Sequence, residues 1–259
     1  MQGSIDLSIW QLTAAYIFIL LLILIVRLKG IPREKEILIS SLRMTIQLVL
    51  VGYILAYVFE HSHPFYALVI TAIMLIFSIY NIFNRTKSPL SPEIKKIIAL
   101  SMTLGILVSL IYFVLVVLQV SPWYEPRYVI PIAGMIIGNS MTGISLGVKT
   151  LVEGMTTHKQ LVEAALILGA TPKMASKQIV NNAFDAAMLP TINSMVGMGI
   201  VFLPGMMTGQ ILGGASPVVA IEYQIAVMLG IVGSVSLTVL LFVQLGYKTF
   251  FNSRCQIKS

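Results

Sequence analysis

The chain has 259 residues, of which 57% are hydrophobic and only 10% are charged, and its mean hydropathy is +0.92. A soluble domain carries about a quarter charged residues and cannot hide so much apolar surface. The composition therefore excludes an ordinary soluble enzyme and predicts an all-α, polytopic integral membrane protein. Seven spans of about 20 residues would use about 140 residues, which leaves no room for a soluble catalytic domain. The net charge of +7 belongs to the loops, as described below, and does not indicate nucleic-acid binding.

Continuous apolar stretches, separated by breaks rich in proline, glycine and charge, predict seven membrane spans. The N-terminus before the first stretch has no basic residue, so we expect that stretch to be retained as a span and not removed as a signal peptide. The sixth candidate contains Pro190 and Pro204, and whether it forms one long span or a broken one stays open. The candidates cover about residues 8–26, 37–59, 65–84, 97–120, 128–150, 184–212 and 218–247.

The distribution of basic residues predicts how the spans are oriented. With the N-terminus outside, fifteen of the 17 Lys and Arg residues fall on the cytoplasmic side, while Arg127 lies outside and Arg43 lies in the second span. Positive-inside sorting produces such one-sided alternation, so we expect an N-out, C-in protein of the cytoplasmic (inner) membrane. The fifteen are Arg27, Lys29, Arg33, Lys35, Arg85, Lys87, Lys95, Lys96, Lys149, Lys159, Lys173, Lys177, Lys248, Arg254 and Lys258.

Glycine is concentrated in the second half of the chain, where it recurs at intervals of four residues. Small residues at this spacing let helices approach closely. We therefore interpret residues 1–259 as a single membrane domain, in which residues 1–127 are a scaffold of four spans and residues 128–259 are the functional half. Within that half, residues 151–183 form a long cytoplasmic segment, and Gly169 followed by Pro172 indicates a helix, a turn and a second helix. The spaced glycines are Gly134, Gly138, Gly143, Gly147, Gly205, Gly209 and Gly213.

Two short motifs resemble catalytic ones but lack an essential partner. Residues 143–150 read GISLGVKT, and Val148 stands where a phosphate-binding loop needs its second glycine. The same stretch contains a G-x-S-x-G pattern around Ser145, but the three histidines of the chain lie in loops and supply no base. Cys255 is the single cysteine, so there is no cysteine metal cage. We expect no catalytic residue, no ATP hydrolysis by this chain and no prosthetic group.

Two groups of side chains have a metal-binding interpretation and a simpler one. Glu60, His61 and His63 could bind a metal outside, but a solvated loop is the favoured interpretation. Thioethers suit soft ions such as Cu(I), yet methionine also fills gaps between packed helices. The metal ligands therefore stay unknown. The methionines in question are Met188, Met195, Met198, Met206 and Met207.

A cytoplasmic motif and four longer stretches carry a family resemblance. Glu163, Ala164 and Ala165, with Gly169 four residues later, resemble the EAA-x-x-x-G signature with which many ABC-transporter permeases dock their ATPase. The motif continues with Ala170, Thr171 and Pro172. Over most of its length the chain resembles the FetB-type iron-export permeases, which include plant aluminium-tolerance permeases. The stretches that carry this resemblance are residues 43–53, 130–139, 168–173 and 203–225.

The resemblance implies a permease that works with a separate cytosolic ATPase and, for bacterial members, exports iron. Plant members have been linked to a nucleotide sugar such as UDP-glucose, so another cargo stays open, as does a stand-alone secondary carrier. Because one copy has one dock and ABC transporters use two nucleotide sites, we expect a permease homodimer with two ATPase copies. Candidate pathway residues, chosen for polarity or softness, are Asn139, Ser140, Met206, Met207, Gln210 and Glu222.

Overall fold

The computed structural model describes residues 8–86 and 90–258, and within these ranges the regular structure is helical apart from two isolated β-bridges. The first seven residues and Lys87 lie outside the described residues. The helices are α1 (Ile9–Ala15), α2 (Ile17–Leu28), α3 (Glu34–Glu60), α4 (Pro64–Arg85), α5 (Pro92–Tyr112), α6 (Pro126–Thr157), α7 (Lys159–Ile167), α8 (Pro172–Ala175), α9 (Lys177–Gly197), α10 (Gly205–Leu212) and α11 (Pro217–Gly246). A π-helix at Phe113–Val117 prolongs α5, and a 3-10 helix at Tyr247–Phe250 prolongs α11.

Contacts divide the chain at Ser62 and His63, two spans earlier than the functional boundary expected at residue 127. The first unit, which also includes Leu212–Ala215, contains α1, α2 and α3. The helix α1 starts at a capping box in which Ser8 and Gln11 each accept the other's backbone N–H. The hydroxyls of Tyr16 and Thr45 are hydrogen-bonded between α2 and α3. Most apolar side chains of these helices are exposed, as lipid-facing helices require.

The second unit is a helix bundle in which α4, α5, α9 and α11 pack on α6. A Cβ on Gly154 would lie 2.6 Å from Ile179 Cγ2, and one on Gly147 would touch Ala187 Cβ at 3.4 Å. The contacts advance in opposite directions along the two helices, so α9 runs antiparallel to α6. Gly143 meets Val235 and Gly147 meets Phe242, so α11 runs parallel to α6.

The spaced glycines fall into two groups. Gly143 and Gly147 lie against α9 and α11, which confirms the close approach predicted for this pair. A Cβ on Gly138, Gly205 or Gly209 would meet nothing within 4 Å, so these glycines pack on no other described helix. Gly134 lies between these groups, since its Cβ would be 3.9 Å from Met74 Cε of α4. The spacing of small residues thus marks faces that permit close packing, and the closest packing within the described residues is at Gly143 and Gly147.

Six helices are long and apolar enough to cross a membrane, which confirms the all-α, multi-pass architecture. They cover Ile9–Leu28, Glu34–Glu60, Pro64–Arg85, Pro92–Val117, Pro126–Thr157 and Pro217–Phe250. The helix α9 is not among them because asparagine, glutamine and aspartate lower its hydropathy. Its 21 residues nevertheless extend about 32 Å back along α6, so it takes the place of the sixth of about seven membrane helices.

The sixth candidate of the sequence, residues 184–212, is broken. The helix α9 continues through Pro190 and ends at Gly197. A tight turn follows, in which the Gly197 carbonyl accepts the N–H groups of Val201 and Phe202, and Gly199 has a φ of +86°. Pro204 then precedes α10. The chain therefore re-forms a helix only after a stretch of irregular backbone.

Candidate docking segment and transport path

The EAA-type motif forms the end of α7 and the turn after it. The N–H of Gly169 donates to the Leu166 carbonyl and the N–H of Ala170 donates to the Ala165 carbonyl, both at 3.0 Å. This pair of bonds is a Schellman motif, which needs a left-handed residue after the helix, and Gly169 supplies a φ of +92°. Lys159 and Glu163 form a half-exposed ion pair at 3.9 Å one turn apart. The motif thus has a local structural reason for its glycine.

The second short helix, α8, is started by residues that follow the motif. Thr171 is its N-cap and its hydroxyl accepts the Met174 N–H at 3.3 Å, while Pro172 occupies the first helical position. Buried Ser176 donates to the Pro172 carbonyl at 2.7 Å. The predicted helix–turn–helix is confirmed, but α6 includes residues 151–157 and α9 includes residues 177–183. We call residues 158–176 the docking segment.

The docking segment has one face on the bundle and one apolar face turned away from it. Val162 is buried and Leu166 packs against the core. On the other side Ile167 is 85% exposed and Leu168 is 88% exposed, with Met174 and Leu161 also exposed. These are short helices beyond the end of the long helix α6, and neither is long enough to cross a membrane. Exposed apolar groups in such a place indicate a protein-binding surface.

The docking segment faces the 3-10 helix that prolongs α11. A cavity of about 290 Å³ is lined by Thr171, Pro172 and Lys173 on one side and by Tyr247, Lys248, Phe251 and Asn252 on the other. The tail after α11 folds back through a bridge between Phe251 and Ile257. Lys258 then pairs with Glu93 at the start of α5, at 2.5 Å. The segment therefore lies beside the chain that follows α11, and the tail of that chain is linked to α5 by the Lys258–Glu93 ion pair.

Basic residues gather at the end of the second unit that carries the docking segment. This end, where α6 stops and α9 begins, is called the basic end below. At the opposite end, Arg127 stands alone among the Lys and Arg residues that the structure describes in this unit. The residues at the basic end are Arg85, Lys95, Lys96, Lys149, Lys159, Lys173, Lys177, Lys248, Arg254 and Lys258.

The pathway candidates on α6 lie at different depths of the packing. Ser140 is fully buried, and its hydroxyl lies 3.3 Å from that of Ser234 on α11. Asn139 is half-buried and donates its side-chain N–H to the Met135 carbonyl one turn earlier, at 2.8 Å. In a single copy, Ser140 therefore links two helices and Asn139 faces partly outward.

The remaining candidates lie on α10 and α11. Met207 is buried and Met206 is half-buried, while Gln210 has a buried Oε1 without a partner among the described residues. Glu222 is exposed and lines a cavity of about 470 Å³ between α5 and α11, together with Ser109 and Ser234. No cavity described in this structure brings all six candidates together. Their role in transport stays a prediction.

The methionine and histidine side chains have local partners. Gln224 donates to Met198 Sδ at 3.9 Å and Ser236 donates to Met188 Sδ at 3.7 Å, so these thioethers accept from polar groups inside the bundle. His61 stacks on Tyr57, and His63 caps α4 by accepting the Phe65 N–H at 3.2 Å. Within the described residues, no group of three or more His, Cys, Asp or Glu side chains is placed to hold a metal ion.

Asp185 on α9 is a charged residue that the sequence interpretation missed. The sixth candidate began at residue 184, so Asp185 looked like the edge of a span. The structure starts α9 at Lys177, which puts Asp185 in its third turn, exposed. Its carboxylate forms no hydrogen bond or ion pair with any residue that the structure describes. The helical spacing of Asp185 with Asn182 and Asn193 was the available signal.

Comparison with known proteins fits the geometry. A family model described as an uncharacterised protein family, UPF0014, matches residues 9–251. The "Probable iron export permease protein FetB" of Escherichia coli is 35% identical over 256 residues, which are 99% of this chain and 97% of that protein. The "UPF0014 membrane protein YjkA" of Bacillus subtilis is 34% identical, over 96% of this chain and 97% of the relative. The Arabidopsis thaliana "Protein ALUMINUM SENSITIVE 3" is also 34% identical, over 95% and 88%.

No solved structure shows a significant match to the chain. The bacterial relatives are named as membrane or permease proteins, which agrees with the six apolar helices and with a multi-pass membrane location. The expected family resemblance is confirmed over nearly the whole length. The chain belongs to the UPF0014 family of membrane proteins.

Proposed function

We propose that this chain is the permease subunit of an ABC transporter, that it docks a separate ATPase through the docking segment, and that it exports iron. The observation that carries the proposal is the apolar face of Ile167, Leu168 and Met174, held beyond the bundle by a Schellman turn. A short helix with an exposed apolar face can seat in a cleft of a partner protein. The name of the FetB relative supports iron as the first cargo to test.

The distribution of charge supports a cytoplasmic position for the dock. The basic end carries the docking segment, and the positive-inside rule assigns a basic end to the cytoplasm, where an ATPase has access to ATP. The chain would then be N-out and C-in. ATP hydrolysis belongs to the partner in this proposal, because the stretch around Val148 lies in the middle of α6 and offers no phosphate-binding loop.

The contacts at the basic end support a route for coupling. ATPase closure would move the docking segment, which lines one cavity with the 3-10 helix that prolongs α11. The tail then links α11 to α5 through Lys258 and Glu93. ATP can bias such a switch only by stabilising one arrangement of the partner more than the other. With one dock in each chain, two permeases and two ATPases give the two nucleotide sites required.

A substitution at Leu168 tests the docking proposal. Because Leu168 is almost fully exposed, Leu168→Asp leaves the core intact but places a charge in the proposed interface. Burial of a leucine contributes about 2 kcal/mol, so we expect the affinity for the ATPase encoded beside this chain to fall about 30-fold or more. The permease would be held in nanodiscs and titrated with the purified ATPase.

Thr156→Asp is the matched control for this experiment. Thr156 is also exposed, but it lies in the last turn of α6 and outside the docking segment, so the same charge there should leave the affinity unchanged. Equal affinities for wild type and Leu168→Asp would exclude this face as the dock. Absence of any complex with the wild-type chain would favour a stand-alone carrier, for which Asp185 is a candidate coupling acid.

A further inference from the structure

The exposed side of α9 is polar from Lys177 to Asp185, and beyond that it carries Asn193 among apolar side chains. Its helical spacing aligns one stripe of exposed residues, while Ala183 and Ala187 on the opposite side pack on α6. Four of the six residues in the stripe are polar or charged. The stripe consists of Gln178, Asn182, Asp185, Leu189, Asn193 and Val196.

The neighbouring membrane helices of the same unit present apolar side chains instead. Between Glu222 and Gln244, the exposed side chains of α11 are those of Ile225, Leu229 and Leu240. Lipid chains cover such residues without cost, whereas an uncovered carboxamide or carboxylate is costly in hydrocarbon. The stripe on α9 therefore needs a different environment from the face of α11.

Part of the stripe lies level with the middle of the bundle along its axis, although its side chains are exposed. Ala183 and Ala187 flank Gly147, so Asp185 lies level with Gly147 of α6. Asn193 is eight residues further along α9, which is about 12 Å from Asp185 along the axis. That position is level with the middle of α6. The side chain of Asn193 has no hydrogen bond to another residue that the structure describes.

Polar or irregular structure continues the stripe at both ends. At the basic end, a groove of about 240 Å³ is lined by Thr150, Glu153 and His158 together with Asn182 of the stripe. At the other end α9 gives way to the turn at Gly199, where Ile200 and Val201 are exposed. Irregular backbone at membrane depth is tolerated only against protein or water. Polar side chains therefore extend from the basic end to Asn193, and the exposed Ile192, Met195 and Val196 around Asn193 are apolar.

We propose that this face of α9 lines a water-filled path for cations and that Asp185 is the group that favours cations over anions in it. The inference rests on the proposed transport function only for the direction in which the cation moves and for the energy that drives it. A carboxylate in a narrow path attracts cations and repels anions, and a low-dielectric wall strengthens both effects. The face is thus a route for a metal cation and disfavours a nucleotide sugar, which is anionic.

Cysteine accessibility tests the path without the ATPase. Because Cys255 is the single cysteine, Cys255→Ser gives a cysteine-free background. Asn193→Cys and Leu240→Cys would each be added to it in nanodiscs and treated with cationic and anionic methanethiosulfonate reagents. We expect both reagents to label position 193 and neither to label position 240, which is 47% exposed on the apolar face of α11.

Asp185→Asn then tests the charge. At about 12 Å in water, removing one negative charge should lower the cationic-to-anionic labelling ratio at position 193 by about threefold, and by more in a narrow path. Asn182→Cys provides a second labelling position if Asn193→Cys does not fold. If position 193 is labelled but Asp185→Asn leaves its cationic-to-anionic labelling ratio unchanged, the selection of cations is overturned. If position 193 is not labelled and forms a disulfide with a second copy, this face is an interface between two copies and the path is overturned.

These outcomes are independent of the docking experiment. A chain that binds no ATPase can still label at position 193, and a chain that docks normally can fail to label. Failure of the path and failure of the ABC assignment are therefore distinguishable.

Discussion

Replacing Gly169 with alanine isolates the backbone requirement of the docking segment. A Cβ at this position meets nothing within 4 Å, so Gly169→Ala introduces no clash. The substitution strains the backbone instead, because a φ of +92° is a left-handed conformation, which disfavours a residue with a Cβ by about 1–2 kcal/mol. The turn would fray to relieve it, and the two Schellman hydrogen bonds would be lost. We expect the ATPase affinity to fall about 5- to 30-fold, which is the same free energy expressed as binding.

The control is Gly52→Ala, where a Cβ also meets nothing within 4 Å but the backbone is helical. That substitution should be neutral or slightly stabilising, because alanine is the better helix former. Hydrogen exchange at the Gly169 and Ala170 amides, together with the ATPase titration, provides the measurement. Unchanged protection and affinity in Gly169→Ala would refute the reasoning, as would an equal loss in Gly52→Ala.

Two further experiments test the packing of the bundle. A Cβ on Gly105 would lie 2.3 Å from Thr238 Oγ1 and 2.9 Å from Thr238 Cα, so Gly105→Ala should destabilise the protein by about 1–3 kcal/mol and lower its melting temperature in detergent, whereas Gly138→Ala should not. Equal melting temperatures for the two variants would contradict the helix contact. The Ser140–Ser234 hydrogen bond should give a coupling free energy of about 0.6 kcal/mol in a double-alanine cycle of unfolding, and a value of zero would show that the contact adds nothing.

The membrane architecture was predictable because hydropathy and breaks are local properties. Long apolar stretches specified six helices, and Gly169 with Pro172 specified the turn in the docking segment. The EAA-type motif was identified by its residues, and the structure adds the reason for its glycine, a Schellman turn. Apolar composition also placed the protein in the membrane.

The features that were not predicted depend on contacts distant in sequence. The predicted sixth span begins at residue 184, whereas α9 begins at Lys177, because the polar residues of α9 lower its hydropathy. Only the packing of α9 along α6 shows that it runs through the bundle. That late boundary concealed Asp185. The fold of the tail onto Glu93 involves residues 165 positions apart, which no local pattern reports. The pathway candidates on α6, α10 and α11 were chosen for polarity or softness, and neither property specifies which face of a helix is buried.

ATP hydrolysis stimulated by Fe(II) tests the central claim most directly. The chain would be reconstituted with its neighbouring ATPase, and wild type would be compared with a Glu163→Arg, Gly169→Pro variant whose dock is disrupted. The account predicts that Fe(II) raises turnover in the wild type and that the variant loses the stimulation while the ATPase alone keeps its basal rate. Stimulation by a nucleotide sugar and not by Fe(II) would contradict the iron assignment. No stimulation and no complex with the wild-type chain would contradict the ABC permease itself.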